Sequence, residues 1–150
     1  MYTRLPFLPT FLLALAVLPQ LGTAYWKGFN IKSNLADGIT CKSLSDWRED
    51  FAVMTSFPNK INSARLYSSW SCNTLANAVP AAISYGKKLL VGIDVSGDSN
   101  YEYEKGALLN AINKYGWDWI VAVSVGSEDL YRGDSNVSTL VSQGKKFSYV

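Results

Sequence analysis

The run Ile120-Val121-Ala122-Val123-Ser124-Val125 constrains this chain more than any other stretch. It is apolar and β-branched and lacks the three-to-four spacing of a helix. It therefore reads as a strand buried on both faces, which is the habit of parallel sheets. The run closes on Gly126 and Ser127 and then on two carboxylates, Glu128 and Asp129. A carboxylate at the carboxyl end of a parallel strand occupies the place where α/β barrels keep catalytic groups. The plainer alternative is that Glu128 is only the first polar residue after a strand.

The same kind of unit precedes it three times. An apolar stretch from Tyr25 to Ile31 leads through a polar loop to Ser43 and Ser45, either of which can cap a helix running to about Ser56. Asp46, Glu49 and Asp50 lie near its start, where the helix dipole favours them. Leu44, Trp47, Phe51 and Met54 recur three to four apart and form the face that would pack on a sheet. Phe57-Pro58-Asn59 breaks that helix, and Ile61 to Tyr67 is the next strand. Asn73 can cap a second helix, in which Pro80 argues against a single straight rod. Leu89 to Val95 is the third strand, and a helix from about Asn100 to Tyr115 ends at Gly116. Strands alternating with helices predict parallel pairing with right-handed crossovers, an α/β fold. The carboxyl ends of the strands then bring Asn30, Arg65, Tyr67, Asp94 and Glu128 to one rim.

Composition excludes several chemistries. The chain has no His, which removes His-based catalysis and the usual zinc sites; no metal or other cofactor is expected. No Gly-rich phosphate fingerprint follows the first strand, so no dinucleotide is expected. The first 24 residues resemble an export signal: Arg4, an apolar core from Leu5 to Leu18, then small residues at Gly22-Thr23-Ala24. The run Phe11 to Leu18 is too short to span a bilayer, so no membrane partner is expected after cleavage. Setting Arg4 aside from 14 basic residues leaves 13 against 12 acidic ones, a balance that argues against nucleic acid. The reading is a secreted or wall-bound protein, with Asn136-Val137-Ser138 as a glycosylation sequon. In an oxidising compartment Cys41 and Cys72 are expected to form one disulfide, with two buried thiols the alternative. Both lie in loops at the rim, from adjacent units. Aromatic residues cluster at Tyr67 with Trp70, Tyr101 with Tyr103, and Tyr115 with Trp117 and Trp119. Such rings suit the apolar faces of sugars, or they are ordinary core aromatics.

Ser124-Val125-Gly126-Ser127-Glu128-Asp129-Leu130-Tyr131-Arg132, together with Leu89-Leu90-Val91-Gly92-Ile93, resembles the fungal branch of glycoside hydrolase family 17. Ser63-Ala64-Arg65-Leu66-Tyr67 is similar to that family's second strand and Gly28-Phe29-Asn30 to its first. The resemblance runs from Tyr25 to Asp134. It implies a (β/α)₈ barrel of the TIM type, acting on cell-wall β-1,3-glucan as an endo-glucanase or a glucanosyltransferase. It implies Glu128 as general acid/base and Arg65 as a group that orients the nucleophile. Asn30, Tyr67, Asp94, Ser127 and Tyr131 would line the sugar cleft. Many members carry Asn where this chain has Ser127.

A retaining glycosidase needs two carboxyl groups about 5–5.5 Å apart. The family takes its nucleophile from strand seven, in a motif like Thr-Glu-Thr-Gly-Trp-Pro, and the 150 residues contain no such motif. A barrel of this type takes about 250 residues, and the 126 that follow the expected signal supply about four units. The expectation is therefore the N-terminal half of a barrel over 25–150, a truncated chain with 144–150 a non-native tail. As written, it would be inactive. A secreted glucan-binding protein without catalysis is the alternative.

Overall fold

The computed structural model describes residues 25–147; the expected signal segment and the last three residues lie outside them. Four strands, β1 (Gly28–Ile31), β2 (Ser63–Leu66), β3 (Lys88–Ile93) and β4 (Ile120–Val125), form one parallel sheet in the order β1-β2-β3-β4. Helices α1 (Leu44–Ser56), α2 (Thr74–Ser84) and α3 (Asp98–Tyr115) make the crossovers, and α4 (Asp129–Arg132) and α5 (Val137–Lys145) follow β4. Strands in sequential order with right-handed crossovers put every connecting helix on the same side of the sheet. That is the winding of a barrel, and the described residues make its first four units.

The core lies between sheet and helices. Trp47, Phe51 and Met54 of α1, Leu75, Ala78, Val79 and Ala82 of α2, and Leu108 and Ala111 of α3 pack with Leu66, Leu89, Val91 and Ile93. The helix face read from spacing is thus the buried one. Ser43, not Ser45, caps α1: its hydroxyl accepts from the Asp46 amide, and the Asp46 carboxylate accepts from the Ser43 amide.

Three expectations need correction. β4 is half-buried, not buried on both faces, and Ala122 is exposed; among the described residues β4 is an edge strand, paired with β3 alone. Asn73 does not cap α2 through its side chain: it sits left-handed at φ 52°, after Cys72 at φ 55°, and the Leu75 amide is met by the Ser69 carbonyl. Pro80 stays inside one continuous α2, where burial of Val79, Ala81 and Ala82 on either side outweighs the hydrogen bond its ring removes. Gly144 and Lys145 form the last turn of α5, and Phe147 packs edge-on to Tyr101 at 6.1 Å. Asn136 caps α5, accepting from the Thr139 amide at 2.9 Å.

Candidate active-site rim

Register decides which side chains meet. Asn30 lies opposite Arg65, and Arg65 opposite Leu90, so these residues share the sheet face that points away from the helices. At the carboxyl ends of the strands, Tyr67, Asp94, Ser96, Ser127, Asp129 and Arg132 enclose a pocket of about 220 Å³. Arg65 reaches across from β2. Its guanidinium lies 4.9 Å from the Tyr67 ring and donates to Ser127 Oγ at 3.4 Å. The rim thus brings together Arg65, Tyr67, Asp94 and Ser127 from three different strands. Asn30 stays beside Arg65 on the β1 edge, and Tyr131 is exposed; neither lines this pocket.

Glu128 is held by the turn after β4. Gly126 takes φ 80°, where a side chain would be strained, and a Cβ there would stand 2.9 Å from Asp129 Oδ2. Glu128 follows in the left-handed region at φ 66°. A non-glycine residue in that region costs of order 1–3 kcal/mol and persists only where its surroundings over-determine it. The surroundings are visible. Asp129 is buried; its Oδ2 accepts from the Ser127 amide, and its backbone carbonyl takes the Asp134 amide at 2.9 Å. Arg132 donates to the Ser127 carbonyl at 2.9 Å and to Asp134 Oδ2 at 2.7 Å. The same guanidinium stands 3.7 Å from Asp129 Oδ1 and 3.5 Å from Glu128 Oε2. The Glu128 side chain is 73% exposed and projects from the rim. Replacing Asp129 with Ala strands the Ser127 amide and removes the anchor of the turn. We expect a loss of about 1–3 kcal/mol in chemical denaturation; an unchanged midpoint would mean the turn holds itself.

Asp129, Arg132 and Ser96 were not among the residues the sequence put at the site, nor was Glu104. Glu104 on α3 is only 2% exposed. Its carboxyl accepts from the Ser68 hydroxyl and the Ser69 amide, and Ser69 Oγ donates to the Gly92 carbonyl at 2.9 Å. The loop that follows Tyr67 is thus tied to α3 and to β3. Burial pushes the Glu104 carboxyl above its ordinary value of 4.5, against the hydrogen bonds from Ser68, Ser69 and Trp70; nearby Asp94 adds to the rise.

The folded protein therefore keeps this proton to a higher pH than the unfolded chain does. The resulting stability is fully present below 4.5 and is lost as pH rises through the folded value. Wild type should lose stability relative to Glu104→Gln as the pH is raised from 4 toward neutrality. Paired urea titrations would read this as a changing difference, and a constant difference would contradict it.

Four parallel strands in sequential order, alternating with helices, make a partial barrel of the (β/α) type, with a carboxylate-bearing turn at its carboxyl rim. The chain belongs to the BtgE/BtgC glycoside hydrolase domain family, whose model matches residues 28–148. It is 40% identical over 101 residues to the glucan 1,3-beta-glucosidase of Schizosaccharomyces pombe, covering 66% of this chain and 30% of that protein. It is 41% identical over 133 residues to the probable glucan endo-1,3-beta-glucosidase eglC of Emericella nidulans, covering 84% of this chain and 28% of that one. The chain thus spans less than a third of the length of these relatives. The crystal structure of the glycoside hydrolase family 17 beta-1,3-glucanosyltransferase of Rhizomucor miehei superposes with a TM-score of 0.70 at 24% identity, over 83% of this chain and 44% of that one. An active-site mutant of that transferase in complex with laminaritriose matches equally well.

Proposed function

We propose that the rim binds β-1,3-glucan and supplies the acid/base half of a retaining glycoside hydrolase or transferase site, with Glu128 as the proton donor. The observation that carries the reading is Glu128 itself. The fold keeps a carboxylate in a costly left-handed conformation, on a turn anchored by a buried Asp, with its side chain turned outward. Nothing in the packing requires a Glu there, and Gly would be easier to accommodate. The relatives, a glucan 1,3-beta-glucosidase and a probable glucan endo-1,3-beta-glucosidase, support the choice of substrate class.

In this mechanism Glu128 protonates the glycosidic oxygen as the bond breaks, while an ionised carboxylate attacks the anomeric carbon from the opposite face. Glu128 then takes the proton from the incoming water or sugar hydroxyl. Arg65 leans across the rim as a fixed cation, oriented by Ser127 and the Tyr67 ring, where it would steady the attacking carboxylate. Tyr67, Asp94 and Ser127 offer one aromatic face and hydrogen-bonding groups to a sugar ring. Among the described residues no further acid comes from an opposing strand, so the nucleophile belongs to a part of the barrel outside them. Alone, the chain is a glucan-binding half-site. The sequon at Asn136 and the apolar leader accord with a secreted or wall location.

Titration calorimetry of the 150-residue chain with laminaritriose tests the rim. Binding that weakens in Asp94→Asn and Tyr67→Ala, and that cellotriose does not reproduce, is the expected result. No heat with either sugar, or equal binding by the variants, would overturn it.

A further inference from the structure

The described residues hold a second cavity besides the rim. A groove of about 440 Å³ runs between α2 and α3 and shares no lining residue with the rim pocket. At its head Trp70 stacks on Tyr103, ring centroids 4.9 Å apart and 21° from parallel. The sequence clusters had grouped Trp70 with Tyr67 and Tyr103 with Tyr101. The fold instead buries Tyr101 and leaves Trp70 and Tyr103 47% and 56% exposed. Two large rings so exposed and fixed against each other are not core aromatics.

From this groove we infer a second carbohydrate site, an aromatic platform that takes another stretch of the same neutral β-glucan chain. The inference rests on the glucan reading of the rim and adds a place where the polymer is held. Three features choose a neutral sugar over other ligands. The Trp70–Tyr103 platform presents an apolar face, which the C–H face of a pyranose matches. Gly106 and Ala107 keep the floor low, while Asn73 and Asn110 stand along the walls as donors and acceptors. Charge balances: Lys114 sits 5.1 Å from the Tyr115 ring, and Glu102 is paired with Lys105 at 2.9 Å. A phosphate or other anion would find no concentrated positive field here. The loop after β2 links the two sites: it gives Tyr67 to the rim and Ser69 and Trp70 to the groove.

Two linked contacts on one polymer raise its affinity through effective concentration. The test is co-sedimentation of the full 150-residue chain with insoluble β-1,3-glucan, run beside the laminaritriose titration. Trp70→Ala and Tyr103→Ala should each weaken polymer binding on the order of tenfold, with laminaritriose affinity unchanged. Asn110→Ala, a change on an exposed helix face, should weaken it less and with an unaltered melting curve. Asp94→Asn should lower laminaritriose affinity and leave the polymer bound through Trp70 and Tyr103. Polymer binding by both aromatic variants at wild-type strength would overturn the groove while leaving the rim intact. Aromatic-dependent polymer binding with no triose heat would support the groove and fail the rim. A wild type that does not sediment with the polymer overturns the groove, and the triose titration then judges the rim alone.

Discussion

With Glu128 as the proposed proton donor, Glu128→Gln should lower turnover of β-1,3-glucan by about 10²–10⁴-fold, the usual worth of a positioned general acid, in any form of the protein that carries the whole barrel. The amide keeps the shape and polarity of the side chain but has no proton to give the leaving oxygen. The position is exposed and makes one ion pair, with Arg132 at 3.5 Å, so the substitution should leave the fold untouched. The loss should shrink when the sugar carries an aryl leaving group acidic enough to depart unprotonated. Both readouts come from one set of initial rates, and equal rates for wild type and variant would remove Glu128 from the chemistry. Glu128→Gly should abolish glucan turnover as well, while raising stability by roughly 1 kcal/mol, because glycine adopts φ 66° without the penalty. A site residue that the fold would be easier without is the signature of a functional constraint.

Loss of the Cys41–Cys72 bond has the largest expected effect on stability. The two residues are 31 apart in sequence and bonded, and a loop of that length is worth about 3–4 kcal/mol in the chain-entropy account. A domain of ordinary stability has about 5–15 kcal/mol in all. The bond joins the loop before α1 to the 3₁₀ turn before α2, where Cys72 and Asn73 both hold left-handed backbone. Asn34 Nδ2 also reaches Cys72 Sγ at 3.5 Å. The bond therefore pins the segment that carries Ser68 to Trp70 from one side, as Glu104 does from the other. Urea unfolding of Cys41→Ser/Cys72→Ser should show the full loss and no response to reductant, whereas wild type should fall to the same midpoint when reduced. A change under about 1 kcal/mol would mean that the reduced chain holds these loops as well without the bond.

The fold was legible where the periodicity was strong. Trp47, Phe51 and Met54 on α1 announce a buried face by spacing alone, and alternation of strand and helix dictates parallel pairing. What spacing could not reveal was tertiary. The burial of β4 depends on a neighbour on its far side, and Pro80 survives within α2 because buried residues flank it. At the rim, Glu128 was legible from its place after a buried-looking strand, but its support was not. Asp129 matters because its carboxylate turns back to the Ser127 amide, a contact no pattern announces. Glu104 could have been found: with Tyr101, Leu108 and Ala111 it lies on the inward stripe of α3, where a carboxylate must find partners. The pairing of Trp70 with Tyr103 joins two elements far apart in the chain, and only the fold brings them together.

On the function proposed above, this rim binds glucan and holds the acid/base without its nucleophile. Reducing-end release from laminarin by the purified 150-residue chain measures it directly. We expect none above background, from a protein that still binds laminaritriose. Steady release that Glu128→Gln abolishes would contradict it, because the second carboxyl group would then have to lie within these 150 residues.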